Sequence, residues 1–310
     1  MLAVMMTAII ILPIQVSAAT GQFWDHARYD SDGVQADGGT IGFTTQWNLS
    51  ADNNTEKTNS YHVDDMPTLV EIYTATWCTN CVTTQNIMNE AIGDSDVELI
   101  HYHRHWFEPR DPFGSNSTEE RWTTTYGHAV TLNGGAPRLA PTKVVDGERM
   151  HYGSRPNSDS LMDDYTASLS MEETVSLSGN LSLNISQTMN KMYFEWDISS
   201  LSIFTDGEYS LDPWILLIEE EAYFPDGSNG LETYEHILLE AIPLESIADG
   251  NSLSEVSLPQ LWDGDDLKVA ILVDWIVEKS PSQSPLPAPS IVFLLSSLIA
   301  MAYVRQPRLP

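Results

Sequence analysis

The feature that most constrains this fold is a pair of cysteines, Cys78 and Cys81, the only cysteines in 310 residues. They follow an apolar run at 68–74 and precede apolar residues at helical spacing, so the sequence predicts strand, turn and helix. Both thiols then lie at the start of the helix, where the helix dipole and free N–H groups stabilise a thiolate. We therefore expect Cys78 to attack a disulfide and Cys81 to resolve the mixed disulfide.

Two nearby residues are candidates for the same site. Trp77 directly precedes the pair and is predicted to cover one side of it. Glu71 lies seven residues before Cys78, and it is interpreted either as a buried carboxylate that handles the proton of Cys81 or as an exposed strand residue. For the cysteines themselves, the alternative is a purely structural disulfide, which is common in exported proteins.

Three alternating histidines follow the helix. His101, His103 and His105 fall on a predicted strand at 97–106, where alternate residues share a face. With two thiols nearby, this face is a hypothetical copper site, because sulfur and imidazole ligands suit copper. The alternative is a polar strand face. A structural zinc site needs about four ligands, and the absence of a second C-x-x-C motif argues against one, so we predict no cofactor.

The rest of the chain divides by pattern. Residues 20–60 form a polar lead-in with one short strand at 40–47, and a helix is predicted at 119–126. Asp-Gly between two short β-type runs indicates a hairpin over 142–152. From 174 to 277 the chain consists of β-type runs separated by Asp-Gly turns, which predicts an all-β sandwich.

The two ends indicate export. Residues 1–19 have the pattern of a signal peptide. A Pro/Ser-rich linker at 280–290 leads to an apolar segment at 291–304, interpreted as a transmembrane or sorting helix, and to a basic tail at 305–310. Since basic residues stay in the cytoplasm, we expect the folded part at the extracytoplasmic face of the cell membrane.

The net charge excludes one class of partner. Lys and Arg number 14 against 44 Asp and Glu, which gives −30. Binding to nucleic acid depends on Lys and Arg that neutralise phosphates. A chain this acidic, with neither a basic patch nor a nucleic-acid motif, is not expected to bind nucleic acid.

Two stretches carry a resemblance to a known family. The segment EIYTATWCTNC, and APTKVVDGERMHYG about sixty residues later, resemble the thioredoxin superfamily. The likeness extends to exported proteins related to the outer-membrane protein Omp28, in which a β-sandwich follows the redox-like domain. The resemblance implies a cis-proline at Pro141, which shapes the substrate groove. It also implies an α/β thioredoxin-like domain at 61–168 and an immunoglobulin-like sandwich at 172–279.

The resemblance also implies a function. The implied function is a membrane-tethered thiol-disulfide oxidoreductase that acts on thiols or disulfides of exported proteins. The sandwich would then be a spacer or a partner-binding module. With only two cysteines, such an enzyme needs an external redox partner. Two alternatives remain: a non-enzymatic surface interaction protein with a thioredoxin scaffold, and a Cu(I)-handling thioredoxin-like protein.

Overall fold

The computed structural model describes residues 22–49, 55–171, 176–245, 251–264 and 266–278. This part of the chain is rich in β-strands and has few helices. The helices are α1 (Thr79–Ile92), α2 (Asn116–Trp122), α3 (His128–Leu132) and α4 (Leu161–Leu169). A π-helical turn, Thr123–Gly127, joins α2 to α3, and a short 3-10 turn covers Val63–Asp65.

The strands fall into two groups along the chain. Those before residue 170 are β1 (Gln22–Trp24), β2 (Arg28–Tyr29), β3 (Gln35–Ala36), β4 (Gly38–Trp47), β5 (Glu56–His62), β6 (Thr68–Thr74), β7 (Val97–His103), β8 (Thr142–Val145) and β9 (Arg149–Tyr152). Those after it are β10 (Leu177–Ser178), β11 (Asn180–Thr188), β12 (Lys191–Asp197), β13 (Ser202–Ile203), β14 (Tyr209–Tyr223), β15 (Thr233–Pro243), β16 (Asn251–Ser257) and β17 (Leu267–Val277).

One large sheet joins the two groups. Its nine strands run in the order β1-β9-β8-β6-β7-β15-β14-β17-β4. Strand β6 pairs in parallel with β7 and antiparallel with β8, and β7 meets β15 in parallel at His101 and Ile237. The predicted boundary between 168 and 172 therefore does not separate two sheets, because strands from both sides of it are neighbours in this one.

Helices cover both faces of the sheet around β6. Helices α1 and α4 pack on one face, over a core that contains Ile72 and Met88. On the other face, Trp122 and Tyr126 of the α2–α3 segment pack against Tyr73. A helical layer on each side explains why β6 is buried along most of its length.

A second sheet builds the sandwich. Strands β16-β12-β11-β5 form a four-stranded antiparallel sheet. Its inward side chains, among them Leu183 and Phe194, share one core with Phe43 of β4 and Ile271 of β17. The strands predicted from 174 to 277 thus belong to two facing antiparallel layers, one of which is the far half of the nine-stranded sheet, but these layers also include β4 and β5 from outside the predicted range.

The prediction that residues 20–60 form a polar lead-in with only one short strand was wrong. The described residues of this segment supply strands to both sheets, and β4 is ten residues long and largely buried. The strand predicted at 40–47 is part of β4, whose glycines allow close packing. A Cβ at Gly42 would lie 2.2 Å from the carbonyl oxygen of Ile271 on the paired strand.

Several local predictions are confirmed. A strand, a turn and a helix surround the cysteines, and β8 and β9 form the predicted hairpin. Asp146 and Gly147 at its turn have φ values of 49° and 65°, as a type I′ turn requires. The helix predicted at 119–126 is found as α2 and the π turn. The strand predicted to reach 106 ends at His103.

Other predictions lie outside the described residues. These are the signal peptide at 1–19, the linker at 280–290, the apolar helix at 291–304 and the basic tail at 305–310. Among the residues that the structure describes, none of the helices is both long and apolar enough to cross a membrane.

Candidate functional site

The cysteine pair lies at the turn from β6 to α1. Cys78 is the N-cap residue of α1, and its backbone N–H donates to the carbonyl of Ala75 at 3.0 Å. A disulfide bond joins Cys78 to Cys81, and Sγ of Cys78 accepts a hydrogen bond from the backbone N–H of Cys81 at 3.2 Å. The first turn of α1 contains no acidic residue, so nothing on the helix opposes negative charge at Cys78.

Of the three residues predicted to accompany the cysteines, Trp77 packs directly on the disulfide, and Pro141 follows Ala140, which also packs on it. Trp77 and Ala140 pack on the two cysteines, which are only 5% and 4% exposed. The Ala140–Pro141 peptide bond is cis, as the resemblance implies. The carbonyl of Pro141 accepts a hydrogen bond from the N–H of Gly153 at 2.9 Å, which fixes this loop beside β9.

Glu71, the remaining candidate, faces away from the cysteines. Its carboxylate accepts hydrogen bonds from the hydroxyls of Tyr102 and Tyr126 and pairs with Arg121 at 3.3 Å. Adjacent residues of a strand point to opposite faces, so Ile72 lies beneath α1 while Glu71 lies beneath α2. The prediction that Glu71 handles the proton of Cys81 was therefore wrong.

The Glu71 cluster ties the two halves of the chain together. Asp274 of β17 accepts hydrogen bonds from Arg121 at 2.5 Å and from Arg28 at 2.8 Å, with all three side chains buried. Burial alone would raise the pKa of the Asp274 carboxyl, but the two guanidinium groups hold it well below its usual range. Burial also raises the pKa of Tyr126 well above its usual value. This buried cluster of one carboxylate and two guanidinium groups fixes the relative positions of elements that are far apart in sequence.

On the α1 side of β6, the polar groups are basic. Ile72 is in register with His101 of β7 and with Lys143 of β8. Lys143 is buried and donates from Nζ to the hydroxyl of Thr84 at 2.8 Å. Burial lowers the pKa of Lys143 to about 7. Burial is also the main reason that the pKa of His101 falls well below its usual value.

A cavity of about 180 Å³ opens beside Cys81. Its lining includes Gln85 of α1, His101 and His103 of β7, and Tyr234 of β15. Nε2 of His101 is buried and makes no hydrogen bond to any described residue. Two of the three predicted histidines therefore do face the cysteine pair.

The histidines do not assemble a metal site with the cysteines. His103 Nδ1 lies 2.9 Å from the Asp111 carboxylate, and His105 follows the end of β7, where strand alternation has stopped. Across the described residues, no group of three or more His, Cys, Asp or Glu side chains is arranged to hold a metal ion. The copper hypothesis gains no support from this arrangement.

Sequence reasoning missed a clamp on the turn before the cysteines. The carbonyl of Thr76 accepts hydrogen bonds from the backbone N–H groups of Ser228 and Asn229, at 3.0 and 3.2 Å, and from the Tyr234 hydroxyl at 3.2 Å. The N–H of Thr76 donates to Asp111 at 2.9 Å. The β14–β15 hairpin thus holds the turn that precedes the cysteines. The Asp-Gly and Asn-Gly pairs in its connection were the sequence signal that could have indicated it.

Arginines form a rim on the outer side of the pair. The guanidinium carbons of Arg104 and Arg110 lie 5.9 and 5.2 Å from the ring centre of Trp77. Arg104 also donates to the carbonyl of Arg138 at 3.5 Å, two residues before Ala140. The rim therefore extends from Trp77 to the loop that carries Pro141.

Comparison with known proteins adds little to this geometry. No family model matches the chain, and no curated protein matches it. A crystal structure of protein AGR_C_4864 from Agrobacterium tumefaciens is 15% identical, covering 61% of this chain and 78% of that one, with a TM-score of 0.38. HBP35 of Porphyromonas gingivalis is 13% identical, covering 72% of this chain and 80% of that one, with a TM-score of 0.39. Scores this low establish neither fold family nor function.

Proposed function

We propose that this protein exchanges thiols and disulfides through Cys78 and Cys81, in a thioredoxin-like region built from β6, α1, β7, β8 and β9. The observation that carries the proposal is the position of Cys78 at the N-cap of α1, with a backbone N–H of the first helical turn 3.2 Å from its sulfur. A donor there stabilises the thiolate that exchange requires. Trp77 and Ala140 border the sulfur on either side.

The exchange is written in the direction that reduces a substrate. The Cys78 thiolate attacks one sulfur of a substrate disulfide, a mixed disulfide forms, and the other substrate sulfur leaves as a thiolate. The Cys81 thiolate then attacks Cys78 Sγ, which releases the second substrate thiolate and closes the Cys78–Cys81 disulfide. Two electrons pass to the substrate. Oxidation of a substrate dithiol follows the same steps in reverse, and an external partner resets the pair.

The location belongs to the proposal as well. The apolar segments at 1–19 and 291–304 support an exported protein tethered to the membrane, with exported proteins as substrates. The two-layered sandwich is proposed to be immunoglobulin-like.

Trapping experiments test the exchange. Full-length Cys81→Ser protein is reduced, freed of reductant and mixed with a peptide disulfide. We expect a mixed disulfide at Cys78 to accumulate, because the resolving thiol is missing. Wild-type protein should release both peptide thiols, and Cys78→Ser protein, the matched control, should form far less adduct.

A second candidate function is favoured by one observation, the burial of both cysteines at 5% and 4% exposure. In that case the disulfide is structural, and the protein is a surface interaction module. The absence of adducts from Cys81→Ser protein, together with a wild-type disulfide that resists millimolar dithiothreitol under native conditions, would support this second candidate and contradict the first.

A further inference from the structure

The arginine rim beside Cys78 has unsatisfied hydrogen-bond donors. Nε of Arg104 and Nε1 of Trp77 are both buried, and neither has a hydrogen-bond partner among the described residues. The two side chains are in contact, with the Arg104 guanidinium carbon 5.9 Å from the Trp77 ring centre. Buried hydrogen-bond donors in folded proteins nearly always have an acceptor. Two adjacent donors without one indicate that a ligand supplies the acceptor.

The charge of Arg104 is also unpaired. Within the described residues, no carboxylate lies within 4.0 Å of its guanidinium, whereas Arg110 contacts Glu108 at 3.7 Å and Arg138 contacts Glu119 at 2.5 Å. Arg104 is half-buried, and a cation removed from water without a partner favours an anion. In a chain with a net charge of −30, this local excess of positive charge stands out.

The position of the rim relates it to the reacting sulfur. The backbone N–H of Arg104 donates to the carbonyl of Thr74 at the end of β6, and its side chain reaches the carbonyl of Arg138. The Arg104 side chain thus lies between Trp77 and the loop that contains Ala140. Both Trp77 and Ala140 pack on the cysteine pair. A substrate segment that presents its sulfur to Cys78 must therefore pass the rim.

We infer that the preferred substrates carry an Asp or Glu beside the reacting cysteine, and that Arg104 binds this carboxylate together with the more exposed Arg110. The inference rests on the proposed exchange function. A guanidinium fork matches a carboxylate with two parallel hydrogen bonds. The acidic remainder of the surface repels such a segment elsewhere, which favours its binding at the rim.

Single-turnover exchange with matched peptides tests this inference. Reduced full-length protein is mixed with disulfide peptides that differ only in one residue next to the cysteine, Glu, Gln or Lys. At low salt we expect the Glu peptide to react about tenfold faster than the Gln peptide, as one charge-assisted contact predicts. Arg104→Gln should bring the ratio of the Glu rate to the Gln rate, both measured on that variant, close to one, and Arg104→Lys should restore part of the ratio. Lys57→Gln, the same charge change on exposed β5, is the control.

These outcomes distinguish a failure of the proposed substrate class from a failure of the proposed exchange function. Equal rates for all three peptides would contradict the substrate class but not the exchange function. The same conclusion would follow if the Glu preference persisted in the Arg104→Gln variant and in the Arg110→Gln variant. If the wild type reacts with none of the peptides, the exchange function fails as well. A Glu preference that disappears in Arg104→Gln and weakens with added salt supports the inference.

Discussion

Lys143 gives the sharpest test of the packing beneath the turn that carries the cysteines. Lys143 is 1% exposed, its amine donates to Thr84, and the amine nitrogen lies 5.7 Å from the ring centre of Tyr165. No carboxylate lies within 4.0 Å of the amine among the described residues, whereas Lys191 pairs with one carboxylate and Lys268 with two. Burial alone therefore sets its pKa, which falls from 10.5 to about 7.

The sign of the effect on stability follows from proton counting. Between pH 7 and 10.5 the unfolded chain holds a proton on Lys143 that the folded chain has lost. The free energy of unfolding should therefore rise with pH in this window, with a slope of up to about 1.4 kcal/mol per pH unit. Burial raises the pKa of Asp146 to about 6, so its opposite contribution lies below the window. The buried tyrosines keep their protons through the window in the folded chain, whereas tyrosines of the unfolded chain begin to lose theirs near pH 10, so their opposite contribution enters only at its upper edge.

Replacement of Lys143 by Met removes the amine and keeps most of the volume. At pH 7.5 the buried amine costs about 4 kcal/mol from its pKa shift, and loss of the hydrogen bond to Thr84 offsets about 1 kcal/mol of the gain. We expect Lys143→Met to raise the free energy of unfolding by about 3 kcal/mol at pH 7.5. The slope between pH 7.5 and 9.5 should also disappear.

Urea unfolding followed by tryptophan fluorescence measures both quantities. The exposed Lys57→Met variant is the control, and it should keep the wild-type slope because Lys57 contacts only the carbonyl of Gln46 at the surface. If Lys143→Met is no more stable than the wild type at pH 7.5, or if its pH slope equals that of the wild type, the account of a desolvated amine is refuted.

Two further substitutions test how the turn is held. Gly227→Ala would place a Cβ 2.0 Å from the Tyr234 hydroxyl, so it should loosen the clamp and speed alkylation of the reduced cysteines several-fold; Ser228→Ala, which keeps its backbone donor, should match the wild type. Asp274→Asn leaves the buried Arg121 without its closest anion, so it should lower the free energy of unfolding by about 3–5 kcal/mol in urea. An Asp274→Asn chain as stable as the wild type would show that the buried pair contributes nothing.

The local parts of this structure could be predicted because their signals are local. The strand before Cys78, the helix after Cys81 and the turn at Asp146 each depend on residues a few positions apart. The face of β6 on which Glu71 lies could not be read in the same way. Helices cover both faces of β6, so its sequence is almost continuously apolar and does not show which alternate residues point towards α1.

The long-range parts lacked any signal of this kind. Asp274 and Arg121 are 153 residues apart, and long-range pairings such as that of β7 with β15 bring their regions together. The sequence indicated a strand at 40–47, but it did not indicate its partner. At Gly42 the missing side chain serves the close approach of β17.

The contacts of the turn before Cys78 also change the role assigned to the sandwich strands. A spacer or a separate binding module would leave the turn at Thr76 and Trp77 complete without it. Instead, Ser228, Asn229 and Tyr234 from the β14–β15 hairpin supply three of the hydrogen bonds to Thr76. Thr76 is two residues from Cys78, so these hydrogen bonds hold the backbone next to the cysteine pair. The sandwich half is therefore part of the candidate site.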